Sequence, residues 1–125
     1  MAFAEAGFKV IGLDVNDKRV GQLNSGDSYI ADVPTQALAK QVEAGRLTAT
    51  TEGCKIAEMD AVVICVPTPL SKTRDPDVSY IMAAAEEVSR HIHPGMLVIM
   101  ESTTYPGTTE EVLLPTLSVL SLIHI

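Results

Sequence analysis

An acidic residue stands near the end of the first apolar run of the chain. Asp14 lies in FKVIGLDV, residues 8–15, which follows a short helical segment. In nucleotide-binding α/β folds, an acid at this place accepts hydrogen bonds from the ribose hydroxyls of a dinucleotide. Such an acid normally comes about 20 residues after the first glycine of a G-x-G-x-x-G loop, whereas 13 residues precede Asp14. The alternative is an ordinary strand-end acid that caps the next helix. Arg19, one turn further on, either covers the adenine or a phosphate, or is simply solvated.

Two proline-containing loops follow the later apolar runs. VPTP (66–69) ends the run AVVICVP, and ESTTYPG (101–107) ends the run MLVIMES. Ligands of open α/β sheets lie outside the carboxyl ends of the strands. Prolines stiffen such loops, and small hydroxyl residues beside them can bond a ribose, an amide or a water. Turn chemistry explains each loop taken singly, but the two loops together with Asp14 favour a ligand site.

Strands and helices must alternate to place these residues at one sheet edge. Short apolar runs bounded by turn signals predict buried strands at residues 8–15, 47–51, 61–67 and 96–102. Capping signals and helical periodicity predict helices at residues 2–6, 16–24, 35–44, 78–92 and from Thr108 or Thr109 onward. This alternation is typical of an α/β domain with a parallel sheet.

Individual residues are expected to end these elements or to fill the core. Thr35 and Asp77 are predicted N-caps of their helices, and Asn16 or Asp17 caps an earlier one. Cys65, inside an apolar run, is predicted to be a small core residue, whereas Cys54 is a free thiol. Helical spacing predicts one buried face on the longest helix, made of Ile81, Ala84, Ala85 and Val88.

The composition restricts the class of partner. Apolar residues make up 46% of the 125 residues and charged residues 20%, and the net charge is −7. An acidic surface argues against nucleic acid or an anionic membrane as a general partner, but local backbone groups can still hold a nucleotide. No run reaches the roughly 18 apolar residues of a membrane span. Two isolated cysteines offer no metal-binding spacing, so no metal site is predicted and a cytoplasmic location is expected.

Taken together, these stretches resemble the nucleotide-sugar dehydrogenase family, the UDP-glucose/GDP-mannose dehydrogenases. The similarity covers roughly residues 2–117, through FAEAGFKVIGLDVNDKRV, LNSGDSYIADVP, GRLTATT, DAVVICVPTPLSKTRDPDVSYI and ESTTYPGTTEEVLLP. The last two stretches are specific and are most similar to the branch that oxidises UDP-N-acetylhexosamines, such as UDP-N-acetylglucosamine 6-dehydrogenases. The resemblance implies a Rossmann-like, doubly wound parallel sheet.

The resemblance also implies an NAD-dependent oxidation of the sugar C6 alcohol to an aldehyde and then to a carboxylate, with a cysteine that traps the aldehyde. Six residues would then contact or line the NAD cofactor, namely Asp14, Arg19, Val66, Pro67, Thr68 and Thr103. Asp14 would hold the adenosine ribose with Arg19 nearby. Thr103 would contact the cofactor and help to position a catalytic water, which makes it the catalytic candidate of this chain.

Departures from the family pattern suggest a domain truncated at both ends. The first strand and the glycine-rich loop are missing, as are the C-terminal domain and its cysteine nucleophile. Residues 1–117 are therefore interpreted as a partial NAD-binding domain, and 118–125, SVLSLIHI, as a tail that does not match. The chain alone should be inactive, whereas the intact enzyme would act on a nucleotide sugar as a homo-oligomer.

Two other hypotheses stay open. The first is a non-catalytic, Rossmann-like module that only binds or associates, because losing a central strand would expose two strand edges. The second is another Rossmann oxidoreductase, such as a hydroxyacid dehydrogenase. The VPTPL and ESTTYPG loops argue against the second, because those families carry different residues after the corresponding strands.

Overall fold

A computed structural model describes residues 1–69, 77–103 and 106–121 of the chain. The chain divides into two compact units, Met1–Glu52 and Gly53–Ile125. Each unit contains one pair of parallel strands. The parallel pairing and the alternation of strands with helices confirm the predicted α/β class.

The first unit contains two strands and three helices. Its elements in chain order are α1 (Ala2–Glu5), β1 (Val10–Leu13), α2 (Asp17–Asn24), α3 (Thr35–Glu43) and β2 (Leu47–Thr50). Strand β1 pairs with β2 from Val10 opposite Leu47 to Leu13 opposite Thr50. Asp14 therefore follows the last residue of β1, at the carboxyl end of the pair.

Capping chemistry sets two of the helix boundaries in this unit. The Asn16 side chain accepts hydrogen bonds from the backbone N–H groups of Lys18 (3.0 Å) and Arg19 (3.2 Å), so Asn16 is the N-cap of α2 as predicted. The prediction that Thr35 caps α3 is wrong. Pro34 holds the N-cap position and Thr35 is the first helical residue. The Thr35 hydroxyl instead accepts the backbone N–H of Ser28 at 3.4 Å, which ties the preceding loop to the helix.

The second unit carries the later strands. Its elements are a 3-10 helix (Gly53–Glu58), β3 (Ala61–Ile64), α4 (Ser79–Ser89), β4 (Leu97–Met100), a π-helical turn (Thr109–Leu113) and α5 (Leu114–Ser121). Strand β3 pairs with β4 from Ala61 opposite Leu97 to Ile64 opposite Met100. Helix α5 continues past Leu117 to Ser121. None of the described helices is long and apolar enough to cross a membrane.

Each unit has its own apolar core. In the first, Ala4, Leu38 and Leu47 are buried together. In the described part of the second, the buried core consists of Ile56, Ile64, Ala85, Val88, Leu113 and Leu117. Ile81, Ala85 and Val88 of α4 are buried and Ala84 is partly buried, which confirms the predicted helix face.

The strands are shorter and more exposed than predicted. All four contain four residues, and Leu13 and Leu97 are exposed. The prediction that Cys65 is a core residue is also wrong, because its side chain is exposed. Successive side chains of an extended segment point to opposite faces. Val62, Ile64 and Val66 pack in the core, so Cys65 falls on the opposite face, as does Val63.

Asp77 lies just ahead of α4 and stabilises its beginning. The Asp77 carboxylate accepts the backbone N–H of Ser79 at 2.9 Å, although Val78 holds the N-cap position. Hydrogen bonds from the side chain and the backbone of Ser79 hold the pKa of Asp77 below its ordinary value of 3.8.

A carboxyl group with a lower pKa in the folded than in the unfolded chain stabilises the folded state at any pH above its unfolded-state pKa. This contribution is lost as the pH falls through the folded-state pKa. In an NMR pH titration from 5 to about 2, we expect the Ser79 amide resonance to shift with a midpoint below 3.8. The Asp77→Asn variant keeps an acceptor oxygen but should lose this titration step. A midpoint at or above 3.8 in the unsubstituted chain would contradict the assignment.

Candidate functional site

An open pocket lies beside the carboxyl end of β1. It is enclosed by β1 and its extension, helix α2, strand β2 and the loop that follows α2. The residues that matter for its chemistry are Gly12, Asp14, Arg19 and Tyr29, and Leu23 and Ala49 supply apolar wall. The pocket therefore combines one carboxylate, one guanidinium and one aromatic ring.

Asp14 is fixed by its backbone and by one of its two carboxylate oxygens. Its N–H donates to the carbonyl of Thr50 at 3.2 Å, which extends the β1–β2 ladder by one residue. Its Oδ1 accepts the backbone N–H of Asn16 at 2.9 Å. This local turn partly fits the alternative of an acid that serves the next helix, but Asn16 rather than Asp14 caps α2. A carboxylate has about four acceptor positions, so Asp14, 30% exposed at its side chain, retains capacity for hydroxyl donors.

Arg19 lies between the carboxylate and an aromatic ring. Its Nη1 is 3.5 Å from Asp14 Oδ2, and its guanidinium carbon is 5.8 Å from the centroid of the Tyr29 ring, within cation–π range. The Arg19 side chain is 57% exposed. Arg19 is therefore both solvated and part of the pocket lining, and its role towards an adenine or a phosphate stays a prediction.

The loops after β3 and β4 are joined by side-chain hydroxyls. Ser102 Oγ donates to the carbonyl of Val66 at 2.9 Å, with a longer contact of 3.5 Å to the carbonyl of Ile64. In the opposite sense, Thr68 Oγ1 donates to the carbonyl of Thr103. The segment that contains Val66, Pro67 and Thr68 is thereby held against Thr103.

The structure groups the predicted residues by unit. Asp14 and Arg19 line one pocket in the first unit, and the VPTP segment lies beside Thr103 in the second. Residues 70–76 and 104–105 of the two motif-bearing loops lie outside the described residues. Within the described part of the chain, no group of three or more His, Cys, Asp or Glu residues could hold a metal ion.

Two residues of the site were missed by the sequence reasoning. Tyr29 is one of three tyrosines in a chain with 4% aromatic residues, and its place in an otherwise mostly polar loop was a usable signal. Ser102 carried no signal beyond its position next to Thr103, since its partner is a backbone carbonyl 36 residues away.

Comparison with known proteins places these features in one family. The sequence model of the UDP-glucose/GDP-mannose dehydrogenase family, NAD binding domain, matches residues 1–121. The UDP-N-acetyl-D-mannosamine dehydrogenase of Salmonella typhi is 40% identical over 111 residues, which are 88% of this chain and 26% of the relative. The UDP-N-acetyl-D-glucosamine 6-dehydrogenase of the same organism is 38% identical over 114 residues, 90% of this chain and 26% of the relative.

Solved structures show the same similarity. The UDP-D-ManNAc dehydrogenase of Pyrococcus horikoshii superposes with a TM-score of 0.92 at 34% identity, over 98% of this chain and 29% of that one. A ternary complex of GDP-mannose dehydrogenase from Pseudomonas aeruginosa gives a TM-score of 0.90 at 31% identity, over the same shares of the two chains. This chain thus spans about a quarter of the length of the relatives that it matches. With its Rossmann-like fold and its acid at the end of β1, the chain belongs to the UDP-glucose/GDP-mannose dehydrogenase family and corresponds to the NAD-binding domain of that family.

Proposed function

We propose that this chain binds the NAD of a nucleotide-sugar 6-dehydrogenase, with Asp14 and Arg19 at the adenosine half of the cofactor. The observation that carries the proposal is the Asp14 carboxylate, which lies at the carboxyl end of a parallel strand and lines an open pocket. An acid in this position accepts the hydroxyls of the adenosine ribose.

The geometry of the pocket fits a ribose and a base. One oxygen of Asp14 is committed to Asn16 and the other faces Arg19, which leaves acceptor positions for a vicinal diol. The Tyr29 ring and the Arg19 guanidinium offer flat surfaces on which an adenine can stack. The negative charge of Asp14 opposes a 2′-phosphate, so NAD is favoured over NADP.

The second unit would line the other half of the cofactor. Val66, Pro67 and Thr68 lie in one segment at the carboxyl end of β3, and Thr103 follows β4. Bound NAD would supply the hydride acceptor for the oxidation. Thr103 is our candidate for contacting the cofactor and positioning the catalytic water, because it is exposed and its carbonyl is held by Thr68.

The reaction of the intact enzyme is proposed from the relatives. Two of them are named for UDP-N-acetyl-D-mannosamine and UDP-N-acetyl-D-glucosamine, so we propose a UDP-N-acetylhexosamine whose C6 alcohol is oxidised to a carboxylate. We further propose a homo-oligomer in the cytoplasm, which suits two exposed free thiols. No two glycines of this sequence are spaced as in G-x-G, so the chain alone should not produce NADH from the sugar.

Replacing Asp14 with asparagine tests the proposal. Hydrogen bonds to a charged group contribute about 1.5–3 kcal/mol, so Asp14→Asn should weaken binding of both NAD and ADP-ribose by about 10- to 100-fold. NMR titration of the isotopically labelled 125-residue chain measures both affinities. Asp17→Asn is the matched control, because it removes the same charge from the first turn of α2, and it should leave both affinities unchanged.

A second candidate function is association with another chain. The Asn24 carboxamide donates to the carbonyl of Ala49 (2.9 Å) and accepts its N–H (2.7 Å). Asn24 therefore occupies backbone groups of β2 that another strand would otherwise bind, which leaves β1 as the strand to consider. Among the described strands, β1 pairs only with β2, and an unpaired strand edge is a template for association. Sedimentation velocity across a concentration series, run with and without NAD, separates the two functions. If the sedimentation coefficient rises with protein concentration and the NMR titration shows no saturable change on adding NAD, the association module is favoured and the cofactor site is rejected.

A further inference from the structure

Two side-chain hydrogen bonds join the loop after β3 to the loop after β4 in the second unit, and they run in opposite directions. Ser102, after β4, donates its hydroxyl to the backbone of the loop after β3, at Val66. Thr68, in that loop, donates its hydroxyl to the backbone of Thr103. The partners are 36 and 35 residues apart in the sequence, so each contact is made only by the folded unit.

Donating to a carbonyl restricts what a hydroxyl can do for a ligand. A serine or threonine hydroxyl has one proton to donate and two lone pairs that accept. With its proton directed at the Thr103 carbonyl, Thr68 can accept from a bound molecule but cannot donate to it. The same holds for Ser102, whose proton is directed at Val66. Neither hydroxyl is therefore placed as a donor to cofactor or substrate.

We propose that Ser102 and Thr68 are positioning residues that hold the two loops as one platform, on which the Thr103 side chain is presented. This inference rests on the proposed function, in which Thr103 and the VPTP segment face the nicotinamide half of NAD. The backbone of Thr103 is anchored by Thr68, and the backbone of Val66 is anchored by Ser102. Each loop thus fixes the residue of the other loop that the cofactor would meet.

The strand ladder supports one side of this platform. The Glu101 N–H donates to the carbonyl of Ile64 at 2.9 Å, which continues the β3–β4 pairing one residue beyond Met100. Beyond that point the ladder cannot continue regularly, because Pro67 and Pro69 of VPTP have no N–H to donate. The two hydroxyl hydrogen bonds take the place of the backbone ones. Side-chain hydroxyls are the groups that join the two described segments there.

The ratio of two ligand affinities distinguishes positioning from general stability. NAD and ADP-ribose share the adenosine, both phosphates and the second ribose, and only NAD carries nicotinamide. The unsubstituted chain should bind NAD more tightly than ADP-ribose. Thr68→Val keeps the shape but removes the hydroxyl, and it should lower NAD affinity by about three- to tenfold with ADP-ribose affinity unchanged. Ser102→Ala should act alike, whereas Thr68→Ser, which keeps the hydroxyl, should retain the preference.

The possible outcomes decide separate points. Equal affinities for the two ligands in the unsubstituted chain, or a preference that survives both Thr68→Val and Ser102→Ala, would overturn the positioning role while leaving the adenosine site intact. A parallel loss of both affinities in Thr68→Val would indicate a merely structural role. Absence of binding by either ligand in the unsubstituted chain would reject the proposed function, and this inference with it.

Discussion

Replacing Ile64 with alanine is expected to lower the free energy of unfolding of the second unit by about 2–5 kcal/mol. Ile64 is 4% exposed and belongs to the core cluster of that unit, together with Ala85 and Val88 of α4. The substitution removes three buried carbon atoms and leaves a cavity that close-packed neighbours fill only in part. Because whole domains are stable by only about 5–15 kcal/mol, the loss should be evident in urea unfolding followed by circular dichroism.

Val63→Ala is the matched control for this prediction. Val63 is the preceding residue of β3, lies on the opposite face and is 37% exposed. Its truncation should cost less than about 1 kcal/mol, mostly through weaker β-propensity and packing. Equal losses for the two variants would show that the buried face of β3 has been assigned to the wrong residues.

The Ile64 substitution also has an expected consequence for the site. The carbonyl of Ile64 accepts the backbone N–H of Glu101, and Val66 and Ser102 lie just beyond this pair. A cavity beneath Ile64 loosens the base of the platform from which Thr68 and Thr103 project. Ile64→Val, which removes a single methyl group, should cost about 0.5–1.5 kcal/mol and keep the NAD preference over ADP-ribose.

Local chemistry made much of the fold predictable. Asn16 caps α2 because its side chain reaches backbone N–H groups two and three residues ahead, which is a purely local arrangement. Gly7 ends the first helical segment with a φ of +98°, a conformation in which glycine is unstrained. The face of α4 follows from helical spacing alone. Thr35 is not the cap because the helix already includes it and Pro34 holds the N-cap position, while its hydroxyl accepts the N–H of Ser28, seven residues away.

In contrast, the sequence did not predict which side chains of each strand face the core. AVVICVP is apolar at nearly every position, so alternation gives no sign of which side chains face the helices. The core selects Val62, Ile64 and Val66, and this selection places Cys65 on the exposed face. A continuous apolar run predicts a strand, but only its tertiary partners decide which face is covered.

The candidate site likewise contains residues that the sequence predicted and residues that only the fold revealed. The rule that ligands bind at the carboxyl ends of parallel strands identified Asp14 and the two loops, and the side chains of Asp14 and Arg19 do meet. Tyr29 and Ser102 were missed because each acts through a contact with a residue distant along the chain or across a loop. The sequence thus predicts which residues belong to the candidate site, whereas the contacts among them required the fold.

The observed strand pairs also agree with the doubly wound order. In the Rossmann arrangement 3-2-1-4-5-6, strands 2 and 3 are neighbours, as are 4 and 5. The parallel pairs β1–β2 and β3–β4 are each made of strands that follow one another along the chain, as both of these neighbour pairs are.

Replacing Gly26 with alanine is expected to destabilise the first unit by about 2–4 kcal/mol, because two costs combine. Gly26 has a φ of +76°, where a side chain is strained. A Cβ atom built there lies 3.1 Å from both Cα and Cβ of Ala39 in α3, so the strain is accompanied by a contact that is too tight unless α3 shifts slightly away. Gly26 opens the loop that carries Tyr29 to the pocket, so ADP-ribose affinity should fall as well. Thermal unfolding and NMR titration measure the two effects.

Gly21→Ala is the matched control, because it adds the same methyl group within α2, where the added Cβ has no neighbour within 4 Å apart from the backbone of its own helix and the adjacent residues. Alanine has the higher helix propensity, so this variant should be more stable than the parent by up to about 1 kcal/mol. The opposite signs of the two substitutions follow from backbone conformation and space, since the chemical change is the same. A Gly26→Ala variant as stable as the parent would show that Gly26 does not pack closely against Ala39. The close approach of Gly26 to α3 would then not explain the position of the loop that carries Tyr29.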